Sequence, residues 1–272
     1  MEMMDIETIL RNRCNGYVLQ MLVASMPRHF NRVNTMTKII VTTIIMAVGF
    51  TSCNSQTDNN NKQKNMFGLF KKQESIEKFW NWFQQNEKSL RDFQKNPDKT
   101  LTQVLENIKK IQSGLAVEFE PPQNNIINVT ISADGDRDNF AIVQDIVAKA
   151  PKIDGYTFVA FRQRIPPEKV KGMVLKVEDH KLNPNNMKFF PIISDDTLHI
   201  IIYANNITEE NFNQFAYGGL MLIDNILGEY DCVTKVRSYD FQNMPTNEEE
   251  LKDLKPLLDL ADFVDNFHNN NN

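Results

Sequence analysis

Ile76, Phe79, Trp80, Phe83, Leu90 and Phe93 recur at helical spacing and predict a first helix from about Ser75 to Phe93. Asn96-Pro97-Asp98 breaks it. Thr100 with Gln103 reads as a capping box for a second helix, whose stripe is Leu101, Val104, Leu105, Ile108 and Ile111. The two helices are expected to pair as an antiparallel hairpin. From Leu115 the period drops to two, with Val117 and Phe119 alternating against Glu118 and Glu120. Strands are predicted at Leu115–Glu120, Ile126–Ser132 and Tyr156–Gln163, with a helix from about Asp138 to Ala150 before the third. Further strands are predicted at Val174–Val177, Phe189–Ile193, Thr197–Ala204 and Val233–Phe241. A helix from Thr208 carries Phe212, Phe215, Leu222, Ile223 and Ile226 and ends at Gly228. Thr246 with Glu249 opens a last helix with Leu251, Leu254, Leu258, Ala261 and Val264.

The order strand, strand, helix, strand thus occurs twice, over residues 115–165 and 173–241. Asn139-Phe140 and Asn211-Phe212 fall in matching places, which points to an internal duplication of a split β-α-β unit. The fold class expected is α+β: an N-terminal helical hairpin, two split β-α-β-like units in a mostly antiparallel sheet, and a C-terminal helix. Residues 70–268 are read as one domain.

Upstream of that domain the pattern changes. Met36-Thr37-Lys38 is a short positive start, and Ile39 to Phe50 follows without a charge. The run is too short for a transmembrane helix, which needs about 20 apolar residues. Small residues Thr51 and Ser52 lead to Cys53, so residues 36–53 resemble a bacterial lipoprotein signal with its lipobox. Phe50 stands where Leu is usual, and an ordinary secretory signal is the alternative. A signal peptide begins near a true N-terminus, so residues 1–35 are read as a mis-called extension. Residues 54–69 open with a polar run, Asn54 to Asn65, that cannot bury surface and reads as a disordered tether; residues 269–272 read as a disordered tail. The expected location is the cell envelope, lipid-anchored through Cys53, in the outer membrane facing the periplasm.

Charge narrows the partners. The chain of 272 residues has 30 basic and 35 acidic side chains; without residues 1–53 the balance is 25 against 32. No basic block interrupts this, so nucleic acid is not an expected partner. Once Cys53 is acylated and residues 1–35 are set aside, Cys232 is the one cysteine left, and no internal disulfide can form. No nucleophile elbow, Gly-rich phosphate loop or zinc spacing is present, and no cofactor is expected.

Four features could carry chemistry. Asp134, Asp136 and Asp138 alternate as in a calcium loop, but Asn139 occupies the place of the required Gly and Asp145 that of the Glu; capping of the following helix is the competing reading. Trp82 lies partly off the core stripe, as a partner contact would, or packs against the second helix or the sheet. Arg162 and Arg164 lie two residues apart, either in a charge ladder with Glu118 and Glu120 or as a pair for an anionic ligand. Cys232 reads as a small buried hydrophobe rather than a nucleophile.

Phe79-Trp80-Asn81-Trp82-Phe83, Ile131-Ser132-Ala133-Asp134-Gly135, Ala150-Pro151 and Phe158-Val159-Ala160-Phe161-Arg162 together resemble a family of uncharacterised bacterial proteins, catalogued as a domain of unknown function. The likeness covers about residues 75–165. The family often has a Trp before its third strand, where Gly155-Tyr156 stands here. The resemblance implies no activity. The function expected from the residues is a non-enzymatic envelope lipoprotein that binds a protein or peptide. The alternatives are a hydrolase-like or calcium-dependent enzyme using residues 134–138, and an immunity-type protein.

Overall fold

A computed structural model describes residues 4–5, 58–177, 180–194 and 196–270. The signal at 36–53, Cys53 and nearly all of the 1–35 extension lie outside the described residues.

Helices α1 (Asp58–Arg91) and α2 (Pro97–Ile108) form the hairpin. The aromatic stripe faces inward: Phe79, Trp80 and Phe83 are all buried. The helix starts at Asp58, within the 54–69 segment expected to be a tether. Once the Ile76–Phe93 face nucleates a helix, adding turns upstream costs little. The second helix begins earlier than expected. Asn96 is its N-cap, accepting from Lys99 N at 3.2 Å, and Pro97 takes the first helical position. Thr100 is therefore inside the helix and buried.

The first unit follows. Strands β1 (Ala116–Phe119) and β2 (Ile127–Ser132) pair antiparallel; helix α3 (Phe140–Ala148) crosses to β3 (Tyr156–Ala160), which runs parallel to β2. Val117, Phe119, Val129, Ile131 and Phe158 share the face that meets α1, α2 and α3. Trp80 Nε1 donates to Ile146 O at 2.9 Å and ties α1 to α3.

Two short elements absent from the sequence-based expectation come next: helix α4 (Pro167–Lys171) and strand β5 (His180–Leu182), which pairs with β4 (Leu175–Val177). Met4–Asp5 lies parallel beside Leu175–Lys176.

The second unit repeats the topology. Strands β6 (Lys188–Ser194) and β7 (Thr197–Ala204) pair antiparallel, helix α5 (Phe212–Leu227) crosses, and β8 (Ser238–Asn243) runs parallel to β7. Asn139 and Asn211 are the N-cap residues of the two crossover helices, α3 and α5. Along β7 burial alternates strictly: Leu198, Ile200, Ile202 and Ala204 are buried against α5 and the C-terminal helix. The fold is α+β with mostly antiparallel pairing.

Two expected elements are redrawn. The strand predicted from Val233 begins only at Ser238, because helix α6 (Glu229–Thr234) follows α5 directly across Gly228. Gly228 sits at φ +76, where a Cβ would be strained, and this lets the chain turn between two helices without a loop. The last helix is broken in two. Asn247, not Thr246, caps α7 (Glu248–Asp253), its side chain accepting from Glu249 N at 2.9 Å. Strand β9 (Lys255–Pro256) then pairs with β6 before α8 (Leu260–Asn270) starts. Pro256 accounts for the break, since it lacks the N–H a continuous helix needs and disfavours helical geometry at Lys255. Helix α8 runs into the expected 269–272 tail. No helix among the described residues is long and apolar enough to cross a membrane.

Candidate functional site

Two of the sequence candidates, Asp134 and Arg162, meet where β3 ends. Strand pairing stops at Ala160 because Phe161 adopts φ +66. Arg162 and Arg164 therefore leave the sheet rather than sharing one strand face, and the segment they occupy is strapped across the junction of α5 and α6. Glu229 N donates to Arg162 O at 2.9 Å, Ile165 N to Asn225 O at 2.9 Å, and Arg164 Nε to Leu227 O at 2.8 Å. At Gly228 an added Cβ would come within 3.2 Å of Arg162 O and Arg164 N. Glycine is thus required there by both φ and space.

Arg162 is 12 % exposed and meets three carboxylates: Nε donates to Asp224 at 2.6 Å, and Nη1 reaches Glu118 and Asp134, both at 3.3 Å. A fourth, Glu229, is fully buried. Its oxygens accept from Arg162 N and Gly135 N, each at 3.1 Å, and it also bonds Ser132. Burial disfavours the Arg162 charge, but Asp224, then Glu229, Glu118 and Asp134, outweigh it and hold the guanidinium more basic than usual. Burial pushes the Glu229 carboxyl above its ordinary range, with Arg162 pulling the other way. The first unit contributes Glu118, Asp134 and Arg162, and the second contributes Asp224 and Glu229. Chemically this is a closed ion-pair joint between the two units.

Arg164 forms a second joint. It grips Asp265 of α8 with two donors, at 2.6 and 2.8 Å, and also pairs with Asp231. Lys235 reaches the same two carboxylates, Asp265 at 3.0 Å and Asp231 at 3.1 Å. The hydrogen bonds from Arg164 hold the Asp265 carboxyl well below the usual carboxylate range, against a smaller opposing effect of burial. A depressed folded-state value means that Asp265 stabilises the fold above pH 3.8, its ordinary value, and that this contribution is lost as pH falls further. Asp265→Asn should therefore lower the melting temperature at neutral pH. The gap to wild type should close as thermal melts move below pH about 4; a gap independent of pH would contradict the assignment.

The remaining candidates are placed as follows. Asp136 accepts from Asp138 N and from Asn139 Nδ2, both at 3.0 Å, so it caps the turn before α3. Asp134, at φ +53, points to Arg162. Among the described residues no group of three or more His, Cys, Asp or Glu side chains is placed to hold a metal ion. Trp82 is half-buried on the first core, with ring contacts to Phe79 at 6.3 Å and Phe83 at 6.5 Å rather than to the acidic loop. Glu120 accepts from Asn128 at 2.9 Å, so of the two glutamates on β1 and its extension, Glu118 is the one that meets Arg162. Cys232 is buried, and burial pushes its thiol up to about 12.

Asp224 and Glu229 were missed in the sequence. The signal was weak: an acid directly after the glycine that ends a strongly apolar helix. A different surface was also missed. On β6 and β7 the side chains of Phe190, Ile192, Ile201, His199 and Tyr203 share the face opposite the core, as the pairings Phe190 with Ile201 and Ile192 with His199 require. None of these belongs to either hydrophobic core, and Ile192 is 42 % exposed.

No family model, curated protein or solved structure matches the chain.

Proposed function

We propose that this protein is a lipid-tethered envelope module that binds a protein partner and carries no catalysis of its own. The anchor is the lipid on Cys53, at the end of the lipobox-like run 36–53. The observation that carries the reading is the apolar face of the second sheet turned away from the core, where Phe190, Ile201 and Tyr203 are half-buried and Ile192 is exposed. An apolar patch that belongs to neither core of the described residues and keeps an exposed Ile marks an interaction surface.

The face, not the strand edge, is the docking surface. Met187 O accepts from Leu257 N, so alternate residues of β6, including Pro191 and Ile193, turn their main chain towards the open edge. Pro191 lacks an N–H and so blocks addition of another strand there. The rim is acidic. Asp240 lies opposite Ile201, Glu250 acts on Tyr203, and Glu248 and Glu249 share the exposed first helical turn of Glu250, against Lys188 and His199. The partner that fits is a protein presenting apolar side chains bordered by Lys and Arg.

The enzyme reading draws less support, because Asp134 and Arg162 are engaged with each other and with the second unit. Co-purification of the full chain from solubilised envelopes tests the proposal. Wild type should recover a discrete partner, and Ile192→Glu, a change at an exposed position, should lose it. Cys53→Ser should release the protein from the membrane fraction. Equal recovery by wild type and Ile192→Glu would count against the face, and membrane retention of Cys53→Ser against the tether.

A further inference from the structure

A recess of about 200 Å³ lies where the first unit's turn into α3 meets the end of α6 and the start of β7. Arg137, from the first unit, and Arg237, from the second, both line it, with Lys235, His268, Thr234 and Asp196. The neighbouring cations are already engaged. Lys235 is neutralised by Asp231 and Asp265, and His268 Nε2 donates to Lys235 O at 2.8 Å. Arg137 and Arg237 differ. Among the described residues neither has an ion pair or a side-chain hydrogen bond, and both residues are exposed where they line the recess.

In a chain of net charge −5, two unpaired arginines from separate units converging on one concavity call for an explanation. One is that they complement the negative end of α6. That role falls to Lys235 and His268, which already contact this terminus and its carboxylates. We infer that the recess binds a small oxyanion of phosphate type, held by Arg137 and Arg237. Planar guanidinium forks match the oxygen geometry of such an anion. The volume lies below the roughly 300–1,000 Å³ usual for drug-sized ligands, which fits a free ion or a single phosphoryl group. Asp196 faces the same space and opposes the anion, which sets the sign of one test variant. This site is independent of the sheet face above.

Calorimetry on the full chain in detergent, with ionic strength held constant by sodium chloride, tests it. The probes are inorganic phosphate and glycerol 3-phosphate, which separate a site for the free ion from one for an esterified group. Saturable binding of at least one is expected. Arg137→Ala and Arg237→Ala should each weaken it about tenfold or more, the scale of one charge-assisted hydrogen bond. Asp196→Asn should strengthen it, because the carboxylate repels an anion in the recess. Both arginines are exposed, so the variants should keep the wild-type circular dichroism spectrum. No saturable binding of either probe, or unchanged affinity in both arginine variants, would overturn the site.

Discussion

Arg162→Met is expected to lower the unfolding free energy by about 3–5 kcal/mol, the usual cost of removing one partner from a buried ion pair. Methionine roughly preserves the length and apolar stem, so what is lost is the charge. Asp224 and the fully buried Glu229 would then lose the guanidinium beside them, and Glu118 and Asp134 one of their contacts. A buried pair need not be more stable than an apolar substitute for both partners, but breaking it from one side strands the others. The measurement is a urea titration in which the midpoint falls while the slope stays constant. The comparison is Lys78→Met, whose pair with Glu74 has side chains 72 % and 63 % exposed and whose loss should cost less than about 1 kcal/mol. Similar costs for both would mean that the Arg162 joint is no stronger than a surface contact.

The second large effect lies in the other core. Phe83→Ala should cost about 3–5 kcal/mol, the range for emptying a buried aromatic site. Phe83 is 0 % exposed, and its ring meets Phe158 at 5.2 Å, Tyr156 at 5.4 Å and Trp80 at 5.8 Å. These partners come from β3 and from α1 itself, so the cavity would open at the helix–sheet seam, where neither layer can close over it alone. A loss below about 1.5 kcal/mol, the scale of a conservative core swap, would mean the hairpin is not anchored through this ring.

These two residues mark the limits of reading this chain from its sequence. Phe83 belongs to a local periodic pattern, and local patterns are what hydrophobic spacing reports. The same holds for β7, whose alternating, β-branched-rich run gave its bounds correctly, and for the repeated order of elements. Arg162 could be seen as a charge, but not as the centre of a joint. Its partners stand 28 to 67 residues away, and each acid looks like an ordinary surface residue in its own segment. The errors in element bounds have local causes. Gly228 at positive φ allows two helices to abut, so Val233 could be mistaken for strand. Pro256 interrupts an apolar pattern that otherwise continues through Leu254 and Leu258. Short pieces such as α4 and β5 carry too few residues for either period to show. The sheet face escaped notice for another reason: Phe190 and Ile201 look like core residues until the register puts them on the side away from α5.

The face also connects the fold to the proposed role. Two units with the same topology are joined by a largely buried ion pair at Arg162 and a partly exposed one at Arg164, while the second turns one apolar sheet face away from the core. A partner seated on that surface would be held by apolar contact and oriented by the acidic rim.

The most direct test of that claim is photo-crosslinking in intact cells, with a photoreactive amino acid placed in the full chain at Ile192, at Tyr203 and, as a control, at Lys78. The predicted result is a discrete adduct from positions 192 and 203, absent at 78. Its second component should be a different polypeptide, crosslinked through an apolar segment bordered by Lys or Arg. No adduct from the sheet face, an equal adduct from position 78, or an adduct with a second copy of this chain would contradict the account.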